Sequence, residues 1–307
     1  MDKIYTVGET TFDIIFRNGQ PSAAIVGGSV LNTAITLGRL KLPVQFVSRM
    51  GNDQVGDLSL DFLKENGVGI SYVIRFDGNS RLALAFMDED NNADYEFYKS
   101  AEAPTLIFPA LQTNDIVTFG STNAIKEEGR NNLLLFLNQA HDNDVLTIYD
   151  PNIREFGPRE LIETRKKVEE NLHLAKVLKG SNQDFIRLYE TDDADEIFHR
   201  VSPLGVKVLI VTSGSKQVEI RTRNISFSFP VKPVKTVSSI GAGDNFTAGL
   251  VFGFYKKDIR TLNIDEVDEN AWHEILQFAT DFAAQVCCSE GNYISKKYAE
   301  KVMISTE

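Results

Sequence analysis

The sequence carries its sharpest chemical signal in a glycine-rich turn that leads into a helix. The run Ser239–Asp244 reads Ser-Ile-Gly-Ala-Gly-Asp, and apolar residues then recur at helical spacing, which predicts a helix from about Asp244 to Tyr255. Glycines let the backbone bend sharply, so successive N–H groups can converge where the helix begins. That end carries unpaired donors and a partial positive charge. The pattern therefore predicts a turn that binds an anion such as phosphate.

Asp244 stands in the first turn of this predicted helix. An acidic residue at that place can simply stabilise the helix terminus. The alternative is a general base, since a carboxylate beside a bound phosphoryl group can also reach an attacking hydroxyl. We favour the general base.

Several other catalytic motifs are missing from the sequence. A dinucleotide fingerprint would need a third glycine at position 246, where Phe246 stands, and no Walker A run occurs. No Gly-x-Ser-x-Gly nucleophile elbow is present, and the four histidines lack metal-ligand spacing. These absences argue against a nicotinamide-dependent dehydrogenase in particular.

Net charge and cysteine content indicate which partners and which cellular compartment to expect. The formal net charge of −11 disfavours nucleic acid and anionic membranes as partners. The two cysteines, Cys287 and Cys288, are adjacent and form no disulfide framework, which fits a reducing compartment. The first residues do not have the pattern of a signal peptide, and no apolar run reaches the ~18 residues of a membrane span. We expect a cytoplasmic protein.

Short apolar runs alternate with helical patterns along the chain. The predicted strands are Ile4–Val7, Gln45–Ser48, Asp115–Phe119, Val145–Tyr149, Val177–Lys179 and Val206–Thr212. Helices are predicted at Ser29–Leu40, Gly56–Asn66, Gly129–His141 and Ile162–Asn171. Nearly continuous apolar strands separated by helices predict an α/β fold with a mostly parallel sheet.

Two segments interrupt this alternation. Thr11–Ser22 has the pattern of an extended pair, and Arg81–Tyr98 that of a hairpin around the polar turn Glu89–Asp94. Together they predict a small β-sheet that projects from the main sheet and serves as a lid. Ordinary surface hairpins are the alternative.

Polar residues follow five of the predicted strands. Ligands of open parallel sheets bind beyond the carboxyl ends of the strands, so a shared crevice is expected there. The residues concerned are Glu9 and Asp13, Arg49 and Asp53, Asp150–Arg154, Ser181–Asp184, and Thr212–Gly214.

With these residues in hand, the chain resembles the ribokinase-like sugar kinases of the phosphofructokinase B family. Gly27–Asn32 looks like the family's Gly-Gly-x-x-x-Asn segment, and Gly51–Gly56 looks like its Gly-x-Asp-x-x-Gly signature. Gly241–Asp244, followed by Phe246, looks like its second signature. The resemblance implies a three-layer sandwich with a mostly parallel central sheet and a β-sheet lid. It places the kinase domain at 1–10, 23–79 and 105–307, and the lid at 11–22 and 80–104.

The resemblance also implies roles for individual positions. Asp244 would be the catalytic base, and the N–H groups of Gly241, Ala242 and Gly243 would hold the transferred phosphoryl group. The sugar would bind at Asp13, Gly27, Gly28, Asn32, Lys99 and Arg154. ATP would bind at Ser181, Thr212, Gly214, Gly241 and Gly243, and Asp184 would hold magnesium through water.

The fructokinase branch fits best, because Phe97-Tyr98-Lys99 and Asp150–Arg154 look like its motifs. The implied reaction transfers the γ-phosphoryl of ATP to a sugar hydroxyl, with fructose as the acceptor. The alternatives are 2-keto-3-deoxygluconate, a nucleoside, or a sugar-binding regulator without catalysis. Ser238 stands where relatives have an aspartate that helps to hold potassium, which puts activation by a monovalent cation in question.

The resemblance leaves the oligomeric state open. Family members often pair through the lid, which makes a homodimer possible. The apolar lid residues would then bury against a partner, or they would instead cap the chain's own sugar site. These residues are Leu82, Leu84, Phe86, Tyr95 and Phe97.

Overall fold

A computed structural model describes residues 2–88, 93–98, 103–153 and 157–306. Its strands are β1 (Ile4–Val7), β2 (Thr11–Arg17), β3 (Gln20–Gly27), β4 (Val44–Gly51), β5 (Gly69–Phe76), β6 (Leu82–Met87), β7 (Ala93–Tyr98), β8 (Ile116–Gly120), β9 (Leu146–Asp150), β10 (Val177–Ser181), β11 (Val208–Thr212), β12 (Gln217–Arg221) and β13 (Ser226–Pro230). Its α-helices are α1 (Ser29–Arg39), α2 (Gln54–Glu65), α3 (Arg130–Asp142), α4 (Pro158–Leu172), α5 (Asn182–Tyr189), α6 (Ala194–Val201), α7 (Ala242–Lys256), α8 (Glu269–Cys287) and α9 (Lys296–Ser305). Short 3-10 helices lie at Ser121–Ala124, Ser202–Leu204 and Ile264–Glu266.

In the described part of the chain the strands form two sheets. The larger has nine strands in the order β13-β12-β11-β10-β9-β8-β1-β4-β5, and the smaller has the order β3-β2-β6-β7. Strands β8 to β11 pair in parallel, as do β4 and β5, whereas β12 and β13 pair antiparallel. The predicted α/β fold with a mostly parallel sheet and a separate small sheet is confirmed.

The chain divides into two compact units. The first unit comprises Met1–Tyr5, Ala110–Pro233 and Phe246–Asp281. Its core lies on β8 to β11, whose residues are almost all buried because apolar side chains point to both faces of a covered parallel sheet. Phe119 stacks on Tyr149 in this core, with 4.8 Å between the ring centroids.

The second unit comprises Thr6–Pro109, Val234–Asn245 and Phe282–Glu307. Helix α1 is buried from Val30 to Gly38 and packs so closely that a Cβ on Gly38 would lie 2.3 Å from the carbonyl oxygen of Asn66. This unit also contains the small sheet, which we call the lid sheet: β2, β3, β6 and β7.

The two predicted inserts form antiparallel strand pairs, and both pairs belong to the lid sheet. β2 pairs antiparallel with β3 from Thr11↔Gly27 to Arg17↔Gln20, so the first pair extends beyond the expected end at Ser22. β6 pairs antiparallel with β7, and β2 pairs in parallel with β6.

The predicted domain boundaries themselves stay a prediction. Within the described residues, no helix combines the length and apolar content that a membrane crossing requires.

Candidate active site

Helix α1 holds the carboxylate of Asp244 at the start of α7. Ser29 Oγ donates to Asp244 Oδ1 over 2.7 Å, and Asn32 Nδ2 donates to Oδ2 over 2.8 Å. Thr33 Oγ1 donates to the backbone carbonyl of Asp244 over 2.9 Å. The carboxylate is thus oriented through both of its oxygens while the backbone beside it is held in place.

The spacing of these donors along α1 explains why they meet Asp244 together. Ser29, Asn32, Thr33 and Thr36 recur at three- and four-residue intervals and therefore share one face of the helix. The last of them, Thr36, donates from Oγ1 to Oδ1 of Asn245. A buried helix with one polar stripe is the local pattern that positions the candidate base.

The turn before Asp244 requires glycine at position 241. Gly241 has a φ of +79°, and a Cβ there would lie 2.5 Å from the carbonyl oxygen of Asn292. That carbonyl also accepts a hydrogen bond from Asn245 Nδ2 over 2.8 Å. Any side chain at position 241 would therefore disturb the contacts that fix the start of α7.

One of the predicted anion-binding amides donates a hydrogen bond within the turn. Ala242 N–H donates to the carbonyl oxygen of Ser239 over 3.2 Å, and the next residue, Gly243, is exposed. The helix begins at Ala242, two residues earlier than the expected start. Whether these amides hold a phosphoryl group stays a prediction.

The predicted sugar residues Asp13, Gly27, Gly28 and Asn32 all lie in the second unit. Asp13 is 7% exposed on β2, and a Cβ on Gly27 would lie 2.4 Å from its Oδ2. Gly28 has a φ of +123°, and a Cβ there would lie 2.5 Å from the carbonyl oxygen of Glu9. The missing Cβ of Gly27 thus leaves room for the Asp13 side chain. The missing Cβ of Gly28 leaves room for the backbone of Glu9, which connects β1 to β2.

Asn32 offers a second polar atom besides the one that contacts Asp244. Its Oδ1 is buried and accepts no hydrogen bond from the described residues. A buried amide oxygen without a donor is costly, so this atom is suited to accept a hydrogen bond from a bound hydroxyl.

Two predicted sugar residues, Lys99 and Arg154, lie outside the described residues. Arg81, at the start of the second predicted lid segment, is described. Its guanidinium binds the carboxylate of Glu9 and lies 5.0 Å from the centre of the Phe97 ring. Its guanidinium therefore has an acidic partner.

The predicted nucleotide residues Ser181 and Thr212 come together in the first unit. They stand opposite each other at the carboxyl ends of β10 and β11, which pair in parallel. Gly214, with a φ of +57°, belongs to the tight connection between β11 and β12, where Ser213 N–H donates to the carbonyl oxygen of Gln217 over 3.0 Å. Parallel strand ends at one edge of a sheet are where ligands of such folds bind.

Asp184 forms a capping box at the start of α5. Its Oδ2 accepts from the backbone N–H and from Oγ of Ser181, and its Oδ1 accepts from the N–H of Ile153 over 2.7 Å. Asp184 is 6% exposed, and the described residues contain no cluster of three His, Cys, Asp or Glu side chains that could hold a metal. This donor set does not fit direct metal binding. It fits a magnesium ion that would be held mainly by nucleotide phosphates and water.

One polar cluster in the first unit joins Asp150 to two residues that the sequence did not single out. Lys179 Nζ lies 2.7 Å from Asp150 Oδ2, and Thr247 Oγ1 donates to the same oxygen over 3.3 Å. Burial raises the pKa of Asp150, while the charge of Lys179 opposes this rise. The sequence signals for this cluster were the place of Asp150 directly after a predicted strand and its part in the run Asp150–Arg154.

Ser238 takes part in a hydrogen-bonded segment just before the glycine turn. Its Oγ accepts from the N–H of Ile240 over 3.2 Å, and its own N–H donates to the carbonyl oxygen of Cys287 over 3.3 Å. The chain brings a hydroxyl, and no carboxylate, to this position.

The family model described as pfkB family carbohydrate kinase matches residues 1–297 of the chain. Fructokinase-2 of Oryza sativa subsp. japonica is 32% identical over 244 residues, which cover 76% of this chain and 71% of that protein. Probable fructokinase-5 of Arabidopsis thaliana is 30% identical over 276 residues, which cover 86% and 82%.

Solved structures share the fold over the whole chain. The fructokinase of Vibrio cholerae O395, in a form that contains fructose, ADP and calcium, matches with a TM-score of 0.83 at 21% identity, covering 100% of this chain and 99% of that one. An aminoimidazole riboside kinase of Salmonella enterica matches with a TM-score of 0.83 at 18% identity and covers 100% of both chains. A putative ribokinase II of E. coli matches with a TM-score of 0.79 at 19% identity, again over 100% of both chains. The predicted ribokinase-like fold is confirmed.

Proposed function

Because this chain belongs to the pfkB family of carbohydrate kinases, we propose that it transfers the γ-phosphoryl group of ATP to a hydroxyl of fructose. Both curated relatives described above are named as fructokinases. The observation that carries the proposal is the carboxylate of Asp244, which Ser29 and Asn32 orient at the end of a glycine turn. Phosphoryl transfer to a hydroxyl uses a base that is held beside the attacking oxygen, and the start of α7 holds this carboxylate in place.

Asp244 accepts the proton of the sugar hydroxyl as that oxygen attacks the γ-phosphorus. The hydrogen bonds from α1 keep its carboxylate in one rotamer, so little orientation remains to be achieved during the reaction. Gly243 is exposed beside Asp244 in the turn, and its backbone N–H would contact the transferred phosphoryl group, where such donors stabilise developing charge.

We assign ATP to the strand ends of the first unit, at Ser181, Thr212 and Gly214. Magnesium, when bound with ATP, would neutralise phosphate charge, which matters in a chain whose net charge is −11. Asp184 would contact its water shell. The capping contacts of Asp184 support this indirect role, because they fix the carboxylate and leave it unsuited to direct ligation.

The sugar side favours a neutral acceptor. Asp13 brings a carboxylate and Asn32 a buried amide oxygen, and both atoms accept hydrogen bonds from hydroxyl groups. The lid arginine Arg81 is paired with Glu9, whose carboxylate also lies 3.6 Å from the guanidinium of Arg49. The Asp13 carboxylate would repel an acidic acceptor such as 2-keto-3-deoxygluconate, which favours fructose.

The relatives' names support fructose, and an acceptor screen tests it. The purified protein is given ATP and magnesium with fructose, other neutral sugars, 2-keto-3-deoxygluconate and nucleosides, and ADP release is followed. We expect the highest kcat/KM with fructose. ADP release with none of the acceptors, together with a thermal shift on sugar binding, would instead indicate a sugar-binding regulator.

We also propose that the chain pairs through one face of the lid sheet. Residues directly opposite on paired strands share a face, so Phe97 lies with Ala83 and Asp13. Leu82, Leu84 and Phe86 lie on the other face, where Phe86 is 38% exposed. That second face is the one suited to a second copy of the chain, and light scattering after size-exclusion chromatography measures the resulting mass.

A further inference from the structure

We propose that Glu9 is a positioning residue for the sugar, because its carboxylate ties together the segments that enter and leave the lid sheet and so holds Asp13 in place. This inference rests on the proposed function, since it assigns Asp13 to the sugar. Glu9 itself would act through the lid strands, without touching the substrate.

The chain crosses between the lid sheet and the rest of the second unit at four described places. It enters β2 after Glu9, leaves β3 at Gly28, enters β6 after Arg81, and runs through Ala103 and Pro104 after β7. We call these residues the lid root. Their relative placement determines where the lid strands lie.

The carboxylate of Glu9 and its two arginine partners contact the segments at Arg81 and at Ala103 and Pro104, whereas the backbone of Glu9 contacts Gly28. The carboxylate of Glu9 binds the guanidinium of Arg81 and lies 3.6 Å from that of Arg49. Arg49 in turn donates to the carbonyl oxygen of Ala103 over 3.2 Å, and also to that of Pro104. The carbonyl of Glu9 packs against Gly28, where a Cβ would approach it to 2.5 Å.

The three charged side chains are largely shielded from water. The side chains of Arg49, Glu9 and Arg81 are 9%, 18% and 17% exposed. Charge pairs in such surroundings are stronger than pairs at an open surface, and removing one partner leaves the other charge poorly solvated. Loss of the Glu9 charge would therefore leave two neighbouring guanidinium groups that repel each other across the lid root.

The lid root is connected to Asp13 through β2 and β6. Phe12 N–H donates to the carbonyl oxygen of Arg81 over 2.9 Å, and Asp13 pairs with Ala83 in the adjacent register position. The guanidinium of Arg81 lies over Phe97, which shares the Asp13 face of the sheet. A shift of Arg81 would thus be transmitted to the strand that carries Asp13.

The test compares two variants. Glu9→Gln keeps the shape of the side chain and removes its negative charge, whereas Arg49→Lys keeps the positive charge and loses the planar set of guanidinium N–H donors. Glu163→Gln serves as a control, since Glu163 pairs with Lys166 at an exposed site on α4. For each variant kcat, KM for fructose and KM for ATP are measured, together with circular dichroism and the unfolding midpoint.

We expect both lid-root variants to raise KM for fructose by about 10- to 100-fold, as small misplacements of a binding group do. KM for ATP should stay within about twofold, as should all parameters of Glu163→Gln. A normally folded Glu9→Gln protein with unchanged KM for fructose, or with both KM values raised equally, would overturn the inference.

Calorimetric titration of fructose separates this inference from the proposed function. If the wild-type protein releases no ADP with any acceptor, the proposed function fails. A fructose affinity that Glu9→Gln weakens and Glu163→Gln leaves unchanged would still support the role of Glu9. Equal fructose affinity in all three proteins would contradict it.

Discussion

The side-chain amide of Asn32 donates from Nδ2 to Oδ2 of Asp244 over 2.8 Å, although 212 positions separate the two residues in the chain. The other amide atom of Asn32, Oδ1, is buried and accepts no hydrogen bond within the described part of the chain. One side chain can therefore orient the proposed base through its nitrogen and bind a sugar hydroxyl through its oxygen. This dual contact would align the attacking hydroxyl with the group that takes its proton.

Replacing Asn32 should affect binding and turnover together. We expect Asn32→Ala to raise KM for fructose and to lower kcat, each by about 10- to 100-fold, because both the hydroxyl and the carboxylate lose their alignment. Ser29→Ala is the matched comparison, since Ser29 contacts Asp244 and has no predicted sugar role. It should lower kcat with little change in KM. Steady-state kinetics with KM values unaffected in both variants would argue against a sugar contact at Asn32.

Glycine at position 241 should be needed for stability as well as activity. Gly241→Ala places a Cβ in contact with the Asn292 carbonyl at a positive φ, and such strain costs about 1–3 kcal/mol. Gly129→Ala is the control, because Gly129 has a similar φ of +75° and nothing within 4 Å of the added Cβ. Urea unfolding should show the larger loss for Gly241→Ala, and ADP release should fall only in that variant. Equal losses of stability would indicate that the φ angle alone matters.

The buried pair of Asp150 and Lys179 should behave as a coupled unit. Lys179→Met leaves the Asp150 carboxylate with its charge unmatched in a buried place, which costs about 3–5 kcal/mol of unfolding free energy. The double variant Asp150→Asn with Lys179→Met removes both charges and should recover most of that loss. A double-mutant cycle with additive effects would show that the two side chains do not interact.

The stability supplied by Asp53 should depend on pH. Burial acts to raise the pKa of Asp53, but hydrogen bonds from Ser80 and Gly56 together with the charge of Arg75 outweigh it and hold the pKa below its ordinary value. A carboxyl whose pKa is lower in the folded state contributes stability above its unfolded pKa and loses it as the pH falls through the folded value.

We therefore expect Asp53→Asn to lower the free energy of unfolding at pH 7 by about 1–3 kcal/mol, as for hydrogen bonds to charged groups. The difference from wild type should shrink as the pH falls below about 4. Asp57→Asn, at an exposed carboxylate on the same helix, should change stability by no more than about 0.5 kcal/mol. A difference between wild type and Asp53→Asn that is constant with pH would contradict this account.

Local features of the site could be predicted because they depend on residues close in sequence. The glycine turn and the helix after it follow from the run Gly241–Asp244 and the apolar spacing beyond it. The start of α5 is equally local, since Ser181 and Asp184 form a capping box three positions apart, although these residues were expected only as ligand-binding residues. Strand β1 was predicted with its observed bounds because a fully buried strand is a continuous apolar run.

Contacts between distant segments could not be predicted. Thr247 and Asp150 are 97 positions apart, and Glu9 and Arg81 are 72 apart, so neither spacing nor composition indicates that they meet. The two faces of the lid sheet are a further example. Leu84 and Phe97 look equivalent as apolar residues, and only the register between β6 and β7 shows that they point to opposite sides.

The proposed phosphoryl transfer depends most directly on Asp244 as the base. ADP release with fructose should fall by about 10²- to 10⁴-fold in Asp244→Asn, as expected for removal of a general base, while ATP binding measured by calorimetry stays close to that of the wild type. An Asp244→Asn protein that phosphorylates fructose at the wild-type rate would contradict the central claim.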